Sequence, residues 1–196
     1  MPLKECWDET GQDPVGTKWL ETNKGDEENL NIRARLVAQE FASKQLKTIF
    51  AATPPWEAKK ALLSMAVTEG IGWGAGWCHK IDFIDVKRAY FYAPVKRNVY
   101  VKLPPEDAFE GYCGKLNESM HGTRDASLNW EVEYIRFMES SGFKKGLSSP
   151  CLFHNKSRDI RAVIYGDDFT RLGSEDALNW FKAQIETVYE LSLIHI

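Results

Sequence analysis

The chain has 196 residues and a formal net charge of −3, and 43% of its residues are hydrophobic and 12% aromatic. This composition excludes a disordered chain. The sequence shows no secretory leader and no apolar run near the roughly 20 residues of a membrane span, which favours an intracellular protein without a membrane partner. The acidic balance counts against nucleic-acid binding, because nucleic-acid binders usually present a basic surface.

The first part of the chain is predicted to hold a loose lead and a β-hairpin. Residues 1–16 show little periodicity, which is typical of a frayed extension. Residues 17–20 and 32–39 have the pattern of two strands joined by an acidic loop that contains glycine, and the second strand places Arg33 and Arg35 on one face. These arginines are either solvated strand-face charges or cations that meet a phosphate group.

Helices and strands then alternate along the rest of the chain. Apolar spacing predicts helices at residues 58–66, 126–141 and 174–189, and extended patterns predict strands at residues 81–86, 99–103, 161–165 and 169–172. The coarse order from residue 81 onward is β-α-β-β-α, which predicts an α+β fold with a ferredoxin-like split unit that lacks its last strand. Residues 191–196 (LSLIHI) resemble run-on translation of non-native sequence and are left outside the predicted domain.

Three acidic residues lie at the ends of these predicted strands. Asp85 ends one face of its strand, with Asp82 on the other face, and Asp167 and Asp168 lie in the tight turn between two later strands. Aspartate is common in turns, so the pair alone has an ordinary structural explanation. Carboxylates brought together from two strands repel unless cations join them, and oxygen ligands without nearby His or Cys favour magnesium or manganese. Two such ions about 3.5–4 Å apart predict phosphoryl or nucleotidyl transfer.

Five sequence boxes, in the correct order, resemble those of one family. Tyr165-Gly166-Asp167-Asp168 is similar to the YxDD box of reverse transcriptases, and residues 85–91 (DVKRAYF) resemble the first catalytic block of those enzymes. The boxes that resemble the copia-type retrotransposon branch are residues 33–39 (RARLVAQ), 115–130 (KLNESMHGTRDASLNW) and 149–153 (SPCLF). The resemblance runs from about residue 17 to residue 190, and on it the chain is identified as a truncated reverse transcriptase of this branch.

The resemblance implies a polymerase built from fingers and palm. Residues 17–190 are expected to form both parts, residues 56–190 to be mostly palm, and the thumb and RNase H to be absent. The implied reaction adds dNTPs to the 3′-hydroxyl of a DNA primer on an RNA or DNA template. Two Mg²⁺ or Mn²⁺ ions are the implied cofactors, and other segments of a retrotransposon polyprotein are implied partners. The implied location is a cytoplasmic particle or the nucleus.

The resemblance also implies roles for individual residues. Asp85, Asp167 and Asp168 are implied to hold the ions, with the Val86 carbonyl as a further ligand. Tyr90, five residues after Asp85, is implied to exclude a ribose 2′-hydroxyl, whereas the pattern alone favours a core tyrosine. The other implied nucleotide-contacting residues are Ala89, beside Tyr90; Gly122 and Arg124, in the loop beneath the nascent base pair; and Arg33 or Arg35, at the triphosphate.

Two alternatives to an active reverse transcriptase stay open. An RNA-dependent RNA polymerase also uses a Gly-Asp-Asp turn, and the bulky Tyr90 counts against it. The other alternative is an inactive, truncated remnant of a retroelement. His121 and Ser127 favour this alternative, because they stand where the copia-type box usually has tyrosine and proline.

Overall fold

The computed structural model describes residues 1–41 and 51–192, which form a mixed α and β fold. The helices are α1 (Leu3–Thr10), α2 (Trp56–Ala66), α3 (Ala126–Ser140) and α4 (Glu175–Glu186), with 3₁₀ turns at Ala89–Tyr92 and Pro105–Asp107. The strands are β1 (Thr17–Asn23), β2 (Ile32–Ala38), β3 (Trp73–Gly74), β4 (Trp77–Cys78), β5 (Lys80–Val86), β6 (Tyr100–Val101), β7 (Gly114–Lys115), β8 (Lys144–Lys145), β9 (Leu152–Asn155), β10 (Ile160–Tyr165), β11 (Asp168–Gly173) and β12 (Leu191–Ser192). None of the helices described is long and apolar enough to cross a membrane.

The chain divides into two compact units. The first, which we call the hairpin unit, comprises Met1–Phe50 and Ala93–Asn129. The second, the sheet unit, comprises Ala51–Tyr92 and Trp130–Ile196. The predicted boundary at residue 56 therefore falls near the start of the sheet unit, but residues 93–129 belong to the hairpin unit.

The sheet unit is built on a six-stranded sheet with the order β12-β5-β11-β10-β9-β8, in which all neighbours run antiparallel. Strands β10 and β11 form the predicted tight hairpin, and β11 pairs with β5 along its length. Successive residues of β10 and β11 are buried, so both faces of this hairpin are covered.

Helices α2, α3 and α4 each bury apolar residues in the sheet unit. Leu62 of α2 packs with Val163 and Leu172 of the sheet. In α3, Trp130, Tyr134, Phe137 and Met138 are buried. Helix α4 begins at Ser174, whose hydroxyl accepts a hydrogen bond from the Ala177 N–H, and it buries Leu178, Phe181 and Ile185.

The sheet continues one strand further than predicted. Leu191 and Ser192 form β12 and pair with Val86 and Asp85 at the edge of β5. The prediction of a split unit without its last strand was wrong for these two residues. An open strand edge presents unpaired N–H and C=O groups, so the residues that follow α4 pair with it. The other four residues of the predicted non-native tail lie outside the described residues.

The hairpin unit contains the predicted two-stranded hairpin and an unpredicted helix. Strands β1 and β2 pair in register from Thr17 with Ala38 to Asn23 with Ile32. The prediction of a loosely packed lead was wrong, because residues 3–10 form α1 and its Cys6 is buried with Tyr100 and Cys113. Eight residues with one buried side chain are too few to show a helical period in the sequence.

Candidate functional site

The three predicted acidic residues converge at one edge of the sheet unit. Asp85 near the end of β5 lies directly opposite Asp168 at the start of β11, and Asp167 precedes Asp168 in the turn from β10. One carboxylate oxygen from each residue lies within 4.8 Å of the others. Asp85 is half-buried, and Asp167 and Asp168 are exposed. These oxygens are close enough together to share one metal ion, and two of the three residues are open to solvent.

The turn that presents this pair of aspartates is fixed by glycine and by two hydrogen bonds. Gly166 has a φ of 62°, which matches a two-residue hairpin turn with glycine at its first position. The Val86 N–H donates to the Asp167 carbonyl at 3.0 Å, and the Trp130 Nε1–H donates to the Gly166 carbonyl at 2.8 Å. The sequence interpretation missed this role of Trp130. A buried indole N–H usually has a hydrogen-bond partner, and this was the available signal.

The electrostatics of the cluster are those of like charges held together. Burial raises the pKa of Asp168, and the carboxylates of Asp167 and Asp85 raise it further. The positive charge of Lys59 on α2 acts in the opposite direction. The sequence interpretation did not single out Lys59, which lies outside the five boxes. Its Nζ lies 5.3 Å from the ring centroid of Tyr165, the residue that pairs with Asp168 across the hairpin.

The donor set of the cluster fits a divalent cation that prefers oxygen. Three carboxylates supply hard oxygen ligands, and among the residues described neither His nor Cys takes part in the cluster. Such ligands suit magnesium or manganese better than zinc or copper. Binding a divalent cation would relieve the repulsion that raises the pKa of Asp168.

The chain turns sharply just after Asp85. Ala89 and Tyr90 lie in the 3₁₀ turn, where Ala89 is buried and Tyr90 is half-buried. Burial raises the pKa of the Tyr90 phenol, and the charge of Asp167 adds to the shift. The predicted nucleotide-contacting residues Ala89 and Tyr90 therefore belong to the same unit as the carboxylates, and Tyr90 lies within electrostatic range of one of them.

Glu190 ties the end of the sheet unit to this turn, a role that the sequence did not indicate. Its two carboxylate oxygens bind the side chains of Lys87 at 2.5 Å and Arg88 at 2.6 Å. Its backbone N–H donates a hydrogen bond to the Tyr92 hydroxyl at 2.9 Å. Arg88 has a left-handed φ of 57°, a conformation that few residues with a side chain adopt. The two ion pairs of Glu190 therefore stabilise the strained turn at Arg88, close to Asp85.

The other predicted nucleotide-contacting residues lie in the hairpin unit. Arg33 and Arg35 are exposed and lie on one face of β2, as predicted. Gly122 has a φ of 89°, and a Cβ there would clash with the carbonyl oxygen of Ala38. The glycine therefore accommodates another part of this chain, whereas the sequence interpretation had expected it to admit a ligand. Arg124 follows two residues later in the same loop.

An ion-pair network that the sequence interpretation missed holds this loop. The Glu40 carboxylate accepts hydrogen bonds from the Arg124 N–H at 3.0 Å and from Arg97 at 2.5 Å, and Arg97 also binds Asp125 at 2.9 Å. Burial raises the pKa of Asp125, but the hydrogen bond and charge of Arg97 outweigh burial and leave it below the ordinary value. Because the partners lie 57 and 28 residues apart along the chain, no local pattern could reveal them.

Comparison with known proteins assigns the chain to a family. The profile of the family described as reverse transcriptase (RNA-dependent DNA polymerase) matches residues 8–195. The chain belongs to the reverse transcriptase family. The match starts inside the predicted lead and ends inside the predicted tail, so it is wider than the resemblance read from the boxes.

The curated relatives are polyproteins of transposons, which confirms the copia-type resemblance. The chain is 26% identical over 180 residues to the retrovirus-related Pol polyprotein from transposon TNT 1-94 of Nicotiana tabacum, a match that covers 86% of this chain and 13% of that protein. It is 27% identical over 120 residues to the truncated transposon Ty1-A Gag-Pol polyprotein of Saccharomyces cerevisiae, covering 59% of this chain and 10% of that protein. The transposon Ty1-DR5 Gag-Pol polyprotein of the same yeast is also 27% identical, with 7% of its length covered. The chain thus spans about a tenth of the length of these relatives.

Proposed function

We propose that this chain carries the catalytic residues of an RNA-directed DNA polymerase that works by two-metal nucleotidyl transfer. The observation that supports the proposal is the convergence of Asp85, Asp167 and Asp168, with carboxylate oxygens within 4.8 Å of one another, in a member of the reverse transcriptase family. Two magnesium or manganese ions, when bound, activate an attacking 3′-hydroxyl and stabilise the charge on leaving pyrophosphate.

The protein's part in this reaction is to hold ligands at fixed positions. Asp85 and Asp168 are fixed by strand pairing, and Asp167 is fixed by the hydrogen bond from Val86 to its carbonyl. The Val86 carbonyl is proposed as a further ligand. A preorganised site of this kind avoids the cost of rearranging ligands during the reaction.

The proposed substrates are dNTPs, a DNA primer and an RNA or DNA template. In this proposal the sheet unit is the palm and the hairpin unit contributes the fingers, so that Arg33 or Arg35 meets the triphosphate and the loop of Gly122 and Arg124 lies beneath the nascent base pair. Other segments of a retrotransposon polyprotein are the proposed partners, in a cytoplasmic particle or the nucleus. The polyprotein names of the relatives support that context.

Tyr90 is proposed to select the sugar of the incoming nucleotide. The half-buried ring follows Asp85 by five residues in a tight turn, and the neighbouring Ala89 side chain is small and buried. A ring in that position would clash with a ribose 2′-hydroxyl, so discrimination would work by exclusion. This role favours a DNA polymerase over the alternative of an RNA-dependent RNA polymerase.

Thermal unfolding in the presence of magnesium tests the metal site directly. A ligand that binds only the folded chain raises its stability, so magnesium is expected to raise the melting temperature of the wild-type chain. Asp85→Asn is expected to remove most of that rise, because it takes one ligand from the cluster. Asp8→Asn, which removes an exposed carboxylate from α1, is the control and should leave the rise intact.

The same measurement separates this proposal from its alternatives. A magnesium-dependent rise that Asp85→Asn leaves unchanged would show that the three carboxylates do not share a site. A wild-type chain that folds but shows no rise with magnesium or manganese would favour the inactive remnant.

A further inference from the structure

A lysine lies beside the proposed metal site with no role assigned to it so far. Lys59 is in the first turn of α2, and its Nζ lies 5.3 Å from the ring centroid of Tyr165. Tyr165 pairs across the hairpin with Asp168, so the ammonium group is close to the carboxylates. Helix α2 is held against the sheet by Leu62, one turn further along, which packs on Val163 and Leu172.

Lys59 forms no ordinary structural ion pair with any carboxylate in the part of the chain that the structure describes. Within the described ranges, no carboxylate oxygen lies within 4.0 Å of its Nζ. Stacking on an aromatic ring is a weak attraction for a lysine that keeps part of its hydration. The ammonium group therefore lies near the cluster without a direct ion pair to a described carboxylate.

The surface around Lys59 has the features of a nucleotide contact. Tyr165 is 50% exposed, and Trp56, three residues before Lys59 on the same helix face, is 75% exposed. Exposed aromatic rings beside a cation are the combination that binds the bases and phosphates of nucleic acids. The acidic net charge of the whole chain gives no indication of this local combination of a cation and aromatic rings.

We propose that Lys59 binds a phosphate oxygen of the nucleic-acid substrate next to the metal ions, a proposal that rests on the proposed function. Two divalent cations outweigh the three carboxylates by one positive charge, and Lys59 adds a second. The loaded site would therefore attract an anion, and a lysine supplies up to three hydrogen-bond donors to a phosphate. The phosphate belongs either to an incoming triphosphate or to the backbone of the primer–template duplex.

Paired lysine variants of the whole chain test this inference. Lys59→Gln removes the proposed contact, and Lys60→Gln removes the same charge from the neighbouring, exposed position of α2. Each variant is titrated with dTTP alone, and separately with an RNA–DNA primer–template duplex alone, in the presence of calcium to prevent turnover. Lys59→Arg serves as the conservative variant.

The expected result is a loss specific to residue 59. Lys59→Gln should weaken binding of one probe by about tenfold, the effect of losing one charged hydrogen bond, while Lys60→Gln changes it less than about twofold. If the duplex is the affected probe, the slope of log affinity against log salt should fall by about 0.7 to 0.9. Lys59→Arg should restore most of the affinity. Loss with dTTP identifies the triphosphate as the source of the phosphate, and loss with the duplex identifies the backbone.

Three other results would overturn the inference. Equal effects of Lys59→Gln and Lys60→Gln on both probes would show that only overall charge matters. A second such result is that Lys59→Gln binds magnesium more tightly than the wild-type chain while its binding of both probes is unchanged. Lys59 would then serve only as a counter-charge to the three carboxylates. If the wild-type chain bound neither probe, the proposed function itself would be contradicted, together with this inference.

Discussion

At the scale of single residues, the aromatic ring after Asp85 allows a direct test of substrate choice. In an extended, active chain, Tyr90→Ala should raise ribonucleotide incorporation relative to deoxynucleotide incorporation by at least about tenfold, equivalent to about 1.4 kcal/mol of lost discrimination. The physical reason is that removal of the ring opens space for a 2′-hydroxyl. Single-nucleotide incorporation with dNTP and rNTP pairs measures the ratio.

The matched variant is Tyr90→Phe, which keeps the ring and should keep the selectivity. If Tyr90→Ala weakens use of both sugars equally, the side chain serves only packing. In that event the case against an RNA polymerase loses its main support.

A second residue-scale prediction concerns the stability of the metal-free chain. Burial and the neighbouring carboxylates raise the pKa of Asp168 above its ordinary value of 3.8, so the charged form is less stable in the folded than in the unfolded state. This penalty appears as the pH rises above the ordinary value and is complete above the raised value. Asp168→Asn should therefore raise the melting temperature in EDTA at neutral pH, and the gain should shrink as the pH falls toward about 4.

Asp8→Asn controls for the loss of one surface charge in this experiment. A lower melting temperature for Asp168→Asn at neutral pH in EDTA would contradict the prediction. With magnesium present, the wild-type chain should have the higher melting temperature of the two, because only the wild-type chain retains all three carboxylates. The residue would then lower the stability of the metal-free fold and be needed for metal binding.

The residues of the candidate site divide clearly into those that the sequence could and could not indicate. Asp85 and Asp168 were predictable, because strand alternation and a glycine turn place them at strand ends that neighbour each other. Lys59 and Glu190 were not, because each depends on which elements the topology brings together. Glu190 lies more than 100 residues from its partners Lys87 and Arg88. Patterns of period 2 or 3.6 report local structure only.

At the scale of elements, strands β5 and β11 are joined by a charged pair beneath the helices. Arg171 is fully buried, binds Asp82, and donates a second hydrogen bond to the Leu178 carbonyl at 3.1 Å. Its guanidinium also lies 5.0 Å from the Phe181 ring centroid. Burial lowers the pKa of Arg171, and Asp82 opposes that shift. Asp82, at 37% exposure, keeps contact with water.

This asymmetry predicts unequal costs for removing the two partners. Asp82→Ala leaves a buried, uncompensated guanidinium and should lower the free energy of unfolding by about 3 kcal/mol, the low end for a broken buried pair. Arg171→Met should cost less, because an apolar chain fills the site and water can hydrate Asp82. Urea denaturation of the two variants and the double variant measures the difference. An Arg171→Met variant less stable than Asp82→Ala would contradict this account.

The predictions of helices and strands succeeded where a side-chain period repeats over a long segment, and they failed where the element is short. Helix α4 was indicated by Ser174, two acidic residues in its first turn and a buried stripe. Helix α1 and strand β12 were missed, since they have eight and two residues. Their stability comes from contacts with distant segments, such as the Met1 amino group donating to the Cys113 carbonyl at 2.8 Å.

At the scale of the whole molecule, the distribution of charge bears on nucleic-acid binding more than the net charge does. The net charge of −3 counted against a nucleic-acid binder, yet three of the acids form a single cluster that fits divalent cations. The exposed Arg33 and Arg35 lie in the hairpin unit, and Lys59 lies beside the cluster. Metal loading would therefore change the sign of the local field without any change of fold.

The last prediction concerns polymerase activity of residues 1–196. Polymerisation needs a stable metal site, whereas β12 supports β5, the strand of Asp85, through only two residue pairs among the residues described. The matched region covers 13% of the TNT 1-94 polyprotein, so most of that relative lies outside it. We expect no detectable primer extension on an RNA template from this chain alone. We expect extension to appear when the segment that follows the matched region in that relative is appended. The appended chain with Asp85→Asn is the control and should stay inactive. Robust, magnesium-dependent extension by residues 1–196 would show instead that the two units suffice to hold the duplex.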